Sequence, residues 1–408
     1  MLIYPIPRRK ISIITGEIQK VIWTILSGKA IKGQNAALFE QQFADYLGTK
    51  YVFAVSSGRS ALRLILKTLN FPQDSEIILP AYTDESVPWA IINEGLKPVF
   101  CDIRKEDFNI DINQIRKKIT TNTKAIIITH IFGSICDIEE LLEFCNKHGI
   151  YVIEDCAHAP GAVLNNKRKA GSLGHFSYFS FNSTKHFHSY GGGCVACNNE
   201  ISAKKIKKDL SSCKPISLNI LLKEILITWL IAITANKFIF SLFIYPILLI
   251  NSFFSDRDLL LISFNKTFKK ITNKKTEIRL LTNLQAAIAL LRLKSLDYSN
   301  INRIKNIKIL QKYLKKDILD TEIKSIPGSI YYFYILLSEN RNKLSKYLLQ
   351  NGIDTGKYVM RNVAALYGDI SRYPICEQIY ENSIQIPIHS YLNPKEIKYI
   401  ADILNNFR

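Results

Sequence analysis

Acidic side chains are in short supply: 35 Asp and Glu stand against 54 Lys and Arg, a net charge of +19. A chain this basic could meet nucleic acid, an anionic membrane surface or phosphorylated substrates. No RNA- or DNA-binding motif is present, so nucleic acid is not an expected partner. Many of the lysines lie in Ile- and Asn-rich stretches, a bias that an AT-rich genome imposes without functional meaning. The charge alone therefore does not choose among the remaining partners. The N-terminus, MLIYPIPRRK, lacks the long apolar core and cleavage site of a secretory signal. The 8 cysteines are scattered, mostly in apolar runs, as free thiols of a reduced cytosolic protein are. The one close pair, Cys194 and Cys197, has no second CxxC or His pair to complete a zinc site. At a spacing of three on a strand their side chains face opposite ways, and no metal is expected. A length of 408 residues is enough for two domains and a large core.

What the chain does have is concentrated between Tyr151 and Cys197. Tyr151-Val152-Ile153 is a β-branched apolar run that predicts a buried strand, with Glu154 and Asp155 at its end. In an open α/β sheet ligands sit beyond the carboxyl ends of the strands, where such a carboxylate would meet them. A second predicted strand, Phe176 to Phe181, ends at Asn182-Ser183-Thr184-Lys185, with His186, His188 and three glycines close behind. A lone Lys after a strand is ordinarily solvated; one set among aromatics, histidine and glycine is less ordinary. Pyridoxal phosphate needs this pair: a lysine for its Schiff base and an anion against its pyridinium nitrogen, which keeps the ring an electron sink. Upstream, Ser56-Ser57-Gly58-Arg59-Ser60 joins a predicted strand, Tyr51 to Val55, to a helix from Ala61 to Leu69. Free N–H groups at the positive end of that helix would seat a phosphate.

These motifs, in order and spacing, resemble the DegT/DnrJ/EryC1/StrS aminotransferases, which make amino sugars. The matching residues are Glu154-Asp155-Cys156-Ala157-His158-Ala159, Gly171-Ser172-Leu173-Gly174, Phe179-Ser180-Phe181 and Lys185. Supporting matches are His130 with Gly133, Gly95 with Pro98, Thr282-Asn283-Leu284-Gln285-Ala286-Ala287 and Gln385-Ile386-Pro387-Ile388-His389. The resemblance implies that Asp155 pairs with the pyridinium, His158 lies near the ring hydroxyl, Ser57, Gly58, Arg59 and Ser180 hold phosphate, and Lys185 is the Schiff-base lysine. Two departures stand out. Arg59 takes the place of a family threonine. Asp84, after Pro80-Ala81-Tyr82-Thr83, takes the place of the aromatic that stacks on the ring, which leaves Tyr82 or Trp89 to supply that face. The family's N-Y-R, which reaches the partner's active site, is absent in that register.

The resemblance covers nearly the whole chain except about 205–275. There, 216–255 is strongly apolar, with Lys223, Glu224 and Lys237 as its only charges. Its clean run Phe238 to Ser255 would be about 27 Å long as a helix, borderline for a bilayer span. Three readings stand open: a buried or dimer-interface helical pair, a hairpin dipping into one leaflet, and a two-span hairpin. Trp229, Tyr245 and the phenylalanines suit an interface, as do Lys266, Lys269, Lys270, Lys274 and Lys275 beyond it, which could meet lipid head groups or form a solvated loop. Further helices are expected over Ala36 to Leu47, Asp137 to His148, 297–325, Asn342 to Asn351 and Pro394 to Leu404, with a strand over Tyr331 to Leu337.

The expected fold is therefore α/β, the type I fold of pyridoxal-phosphate-dependent transferases. It has a large, mostly parallel-sheet domain with an N-terminal arm (1–205), a hydrophobic helical insert (206–275) and a smaller C-terminal α/β domain (276–408). The resemblance implies a homodimeric aminotransferase that moves nitrogen, from glutamate as the expected amino donor, to a nucleotide-linked or lipid-linked keto-sugar. Its expected place is the cytoplasm, with the cytoplasmic membrane face as the alternative. Two other readings remain: a sugar dehydratase of the same fold, whose members carry His where Lys185 stands, and a non-catalytic membrane-attached regulator.

Overall fold

The computed structural model describes the chain except residues 1–3, 12, 137, 165–166, 256–276, 320–321, 323, 325–326, 358–359, 368–372 and 408. Asp137 and the run from Lys266 to Lys275 thus lie outside the described residues. The strands are β1 Tyr51–Val55, β2 Glu76–Pro80, β3 Tyr82–Thr83, β4 Lys97–Cys101, β5 Thr123–Thr129, β6 Tyr151–Asp155, β7 Phe176–Ser180, β8 Gly193–Cys197, β9 Tyr334–Leu337, β10 Gly356–Lys357, β11 Arg361–Asn362 and β12 Ser383–Ile386. Seven of them form the central sheet in the order β1-β8-β7-β6-β5-β2-β4. Only β8 runs antiparallel to its neighbours. The inner strands read as continuous apolar runs because both faces are covered: Ala125, Ile126, Ile127 and Ile128 of β5 are all fully buried. Ile127 and Ile153 pack on one side with the helix Gly58–Leu69, while Ile126, Ile128 and Val152 pack on the other with the helix Glu139–Lys147.

A second, three-stranded antiparallel sheet, β10-β12-β9, has its own core, shared with the helices Leu296–Tyr313, Arg341–Gln350 and Pro394–Asn405. The ribbon β3–β11 ties it to the large sheet. The boundaries differ from the sequence expectation in three places. The N-terminal arm leaves the large domain: Ile6 bridges to Ile353, and Arg8 clasps Asp354 at 2.7 Å. The capped helix Asn283–Leu293 packs with Phe39 and Phe43 of the helix Asn35–Leu47, so it belongs to the large domain rather than opening the second. The long helix ends at Tyr313 instead of continuing to 325, because Leu314 turns into the small-domain core with an extended backbone.

The described part of the insert, as far as Ser255, is helical. Leu218–Thr234 lies on the large domain through Leu221, Ile225 and Thr228. Lys237–Phe254 follows, with Pro246 near the start of its last segment. A π-turn over Phe240–Ile244, with the Tyr245 N–H donating to the Phe240 carbonyl, precedes the proline. This second helix rests on the small domain: Lys237 pairs with Glu396, and the Tyr245 hydroxyl donates to the Leu349 carbonyl at 2.9 Å.

Candidate active site

Strand β6 delivers two adjacent carboxylates, and strand alternation sends them to opposite faces. Glu154 is fully buried and saturated. His130 Nε2 meets it at 3.0 Å, and the N–H groups of Gly171, Leu173 and Gly174 donate to it at 2.7, 2.9 and 2.5 Å. His130 Nδ1 accepts the Cys136 N–H at 3.1 Å, so the imidazole proton sits on Nε2 and points at Glu154. Burial pushes the Glu154 carboxyl up, but the imidazole and the turn's N–H groups outweigh it and hold it below its ordinary range. The Gly-Ser-Leu-Gly motif and His130 thus serve the acid next to the expected one.

Asp155 is the free member. It is 5% exposed, accepts the Ala157 N–H at 3.0 Å and lies across from Tyr178 in β7. Burial raises its pKa, against the pull of the Tyr178 hydroxyl, the Ala157 N–H and the Lys185 charge. Among the described residues no ion pair reaches this carboxyl, and a protonated ring nitrogen is a cation that fits beside it.

Lys185 follows β7 in a turn closed by its own N–H to the Asn182 carbonyl at 2.8 Å. Its Nζ lies 5.5 Å from the ring centre of Tyr332, whose hydroxyl donates to the Thr184 carbonyl at 2.8 Å. Tyr332 also lies beside His158, with ring centres 4.8 Å apart, and stacks on Phe333 at 4.0 Å. His158 accepts the Phe132 N–H on Nδ1 at 3.4 Å, which leaves Nε2 to carry the proton. Burial, then the charges of Lys185 and Arg9, keep this imidazole neutral. Phe132 holds its place through a left-handed backbone, φ 52°, that lays its ring 5.9 Å from His158 at 15°.

The phosphate turn forms as expected, with its helix starting at Gly58, three residues earlier than read. Ser57 caps it, accepting the Ser60 N–H at 3.1 Å. A methyl group on Gly58 would sit 2.8 Å from Ser180 Cβ, so the glycine lets the helix N-terminus meet Ser180 directly. Gly193 permits a similar approach from β8, where a methyl group would fall 2.7 Å from the Gly58 nitrogen. Arg59 is half-buried; burial lowers its pKa, while Asp84 and Glu224 of the insert act against that. The insert reaches the lysine loop as well: Thr228 Oγ1 donates to Ser183 Oγ at 2.6 Å. Trp229 donates to the Tyr190 hydroxyl at 3.0 Å, which donates to buried Glu17, itself paired with Arg292 at 2.6 Å.

Asp155, Lys185 and His158 therefore converge, as do Ser57, Gly58, Arg59 and Ser180. Tyr82 does not join them. Its ring is fully enclosed, edge-on to Phe108 and Phe132, and presents no face to a ligand. Trp89 is half-buried on the helix Ser86–Asn93. Tyr332 supplies the aromatic face nearest Lys185, and nothing in the run Tyr331 to Tyr334 distinguished it in the sequence. Cys194 and Cys197 do face opposite cores. His130, Glu154 and Cys156 cluster closely enough for a metal, but the hydrogen bonds above already occupy both His130 nitrogens and both Glu154 oxygens.

A model of the DegT/DnrJ/EryC1/StrS aminotransferase family matches residues 12–214 and 263–405. The chain belongs to this family. The gap between the matched segments holds the apolar insert. GDP-perosamine synthase of Vibrio cholerae is 38% identical over 174 residues, 43% of this chain and 47% of that protein. The alignment thus spans about half the length of this relative. A dTDP-3-amino-3,6-dideoxy-alpha-D-galactopyranose transaminase of Aneurinibacillus thermoaerophilus aligns over 96% of this chain and 95% of its own length, at 27% identity. Among solved structures, the aminotransferase TlmJ of Streptoalloteichus hindustanus superposes with a TM-score of 0.76 at 20% identity, covering 98% of each chain. DesV of S. venezuelae gives 0.73 at 22%, covering 95% of this chain and 93% of its own. Both likenesses show the fold, and the α/β architecture matches the expectation.

Proposed function

We propose that this protein is a pyridoxal-phosphate-dependent aminotransferase that carries nitrogen from an amino acid, with glutamate as the expected donor, to the carbonyl carbon of a nucleotide-linked keto-sugar. The observation that carries this reading is the convergence of Asp155 and Lys185 beyond the ends of β6 and β7, beside a phosphate seat built from Ser57, Gly58 and Ser180. The printed names of the relatives support the substrate class. Bound at this place, pyridoxal phosphate supplies an electron sink for breaking the C–H bond next to the transferred nitrogen. Ser57, the backbone of Gly58 and Ser180 would hold its phosphate, and Arg59 adds charge at the rim. Asp155 would keep the ring nitrogen protonated. Neutral His158 offers its Nε2–H. Lys185 Nζ would hold the cofactor at rest and would be the group that moves the proton. Tyr332 walls the site and fixes the lysine loop through Thr184. Lys185 at the attachment position favours transamination over dehydration. The test is transfer of isotopic nitrogen from glutamate to a nucleotide keto-sugar by the wild type and by Lys185→Ala.

The same reading includes a homodimer in the cytoplasm, attached to the membrane's inner face by the insert. The helix Lys237–Phe254 has a mean hydropathy of 1.8, and 11% of it is buried. It rests on the small domain through Lys237 and Tyr245, buries Phe240 and Leu248, and bares Phe238, Leu242, Phe243, Ile247, Ile250 and Phe253. A helix lying on the protein by one face and apolar on the other suits the headgroup boundary of one leaflet better than a span. The net charge of +19 suits anionic lipid.

A further inference from the structure

Behind Tyr332 the helix Leu296–Tyr313 carries a guanidinium that the mechanism does not use. Arg303 is 7% exposed, and among the described residues no acceptor reaches its Nη1. Its flanking residues on that helix turn their amide donors elsewhere: Asn300 donates to the Pro160 carbonyl at 3.1 Å, with its own Oδ1 left without a donor among the described residues, and Asn306 donates to the His389 carbonyl at 3.0 Å. The groups whose charge or dipole acts on Arg303 are Tyr332 and Tyr391, and it acts in turn on His186 and His389. No carboxylate is among them. Burial drives both histidines toward the neutral form, so neither brings a positive charge that would rival Arg303 for an anion, while each keeps one N–H to donate. Lys10 lies 4.9 Å over the Tyr391 ring and Arg9 4.6 Å over Phe333, so the chain's other charges nearby are also positive. Glu396, whose charge acts on Lys10, is paired with Lys237.

A buried guanidinium without an acceptor is costly, and such a group in a native fold calls for a partner that the chain itself does not provide. The place is next to the reaction: His186 adjoins Lys185 in sequence, its ring lies 5.4 Å from Tyr332, and Tyr332 lies 5.5 Å from Lys185 Nζ. We propose that Arg303, with His186, Tyr332 and Tyr391 around it, is the seat for an oxyanion group of a substrate. That group is a carboxylate of the amino donor or a phosphate of the nucleotide-sugar. A planar guanidinium takes either one in a two-pronged fashion, with a specificity that a lysine would not match. The inference rests on the aminotransferase reading for the identity of the two sources, but the seat is tested without turnover.

The experiment measures binding by calorimetry to the wild type, Arg303→Gln and Arg303→Lys, each loaded with pyridoxal phosphate. The probes are glutarate, which cannot donate nitrogen, and thymidine diphosphate. Arg303→Gln is expected to weaken one probe by about 10- to 100-fold and leave the other unchanged, with Arg303→Lys in between. Loss of glutarate assigns the seat to the donor, and loss of the nucleotide assigns it to the sugar substrate. Because Arg303→Gln removes an uncompensated buried charge, its melting temperature is expected to hold or rise. Equal binding of both probes to wild type and Arg303→Gln overturns the proposal. So does a variant that loses both probes together with its melting temperature, since that marks a purely structural arginine. If the wild type takes up no cofactor, the same titrations on the apo chain still decide on the seat, while the aminotransferase reading falls separately.

Discussion

Glu154 and Asp155 divide one strand end between structure and chemistry. Glu154 takes an imidazole and three backbone N–H groups, and Asp155 is left with one N–H and a tyrosine. Glu154→Ala would leave His130 and the Gly171–Gly174 turn as buried donors without an acceptor. The expected loss is about 3–5 kcal/mol of stability, read from urea unfolding, with His130→Ala in the same background adding little. The pH dependence has a definite sign. The folded carboxyl titrates below the unfolded value, so its contribution is full above the unfolded pKa and declines as pH falls through the folded one. The wild-type advantage over Glu154→Ala should therefore shrink on acidification. A variant as stable as the wild type at neutral pH would contradict this division of labour. In the sequence both acids were visible, and their alternation was predictable from the strand. Which one faced the ligand came from the family resemblance alone and not from the strand pattern, because it depends on His130 and the Gly171–Gly174 turn arriving on the other face from distant parts of the chain.

The elements were legible where apolar runs or caps marked them. The strands Tyr51–Val55 and Tyr151–Asp155 and the helix ending at Gly48, φ +75°, lie where the residues placed them. The reading fell short where long-range packing decides. Leu314 breaks a lysine-rich helix because the small-domain core claims it, and Tyr82 is enclosed because Phe108 and Phe132 arrive from other loops. Tyr332 became part of the site through a chain reversal at Tyr331, φ 50°, that no local motif announced. The insert belongs to this scale. Thr228 holds Ser183 and Glu224 faces Arg59, so the helix Leu218–Thr234 is a wall of the site as well as the base of the apolar helix that follows. That packing leaves it no freedom to span a bilayer. Flotation of the full chain with anionic vesicles is expected to carry the wild type upward and to leave Phe243→Asp with Ile247→Asp at the bottom, with the cofactor still bound. A wild type that stays at the bottom with anionic and neutral vesicles alike would remove the membrane from the account.

Over the whole molecule, two helices stand out among the described residues for the apolar surface they bare. One is in the insert. The other is the first helix, Glu17–Leu26, where Trp23 is 72% and Leu26 78% exposed. In the homodimer proposed above, this second surface is expected to face the partner protomer. Native mass measurement is expected to return twice 46.7 kDa, and Trp23→Glu with Leu26→Glu to return the single value; a wild type of single mass would contradict the assignment. The central claim remains the pairing of Asp155 with Lys185 around pyridoxal phosphate. Its most direct test is the visible absorbance of purified protein with that cofactor, before and after glutamate, beside Lys185→Ala. The account predicts a yellow band in the wild type that borohydride fixes to the chain and glutamate bleaches, and no borohydride-fixed label in Lys185→Ala. A band that borohydride fixes equally well in both proteins, or no band in either, would contradict it.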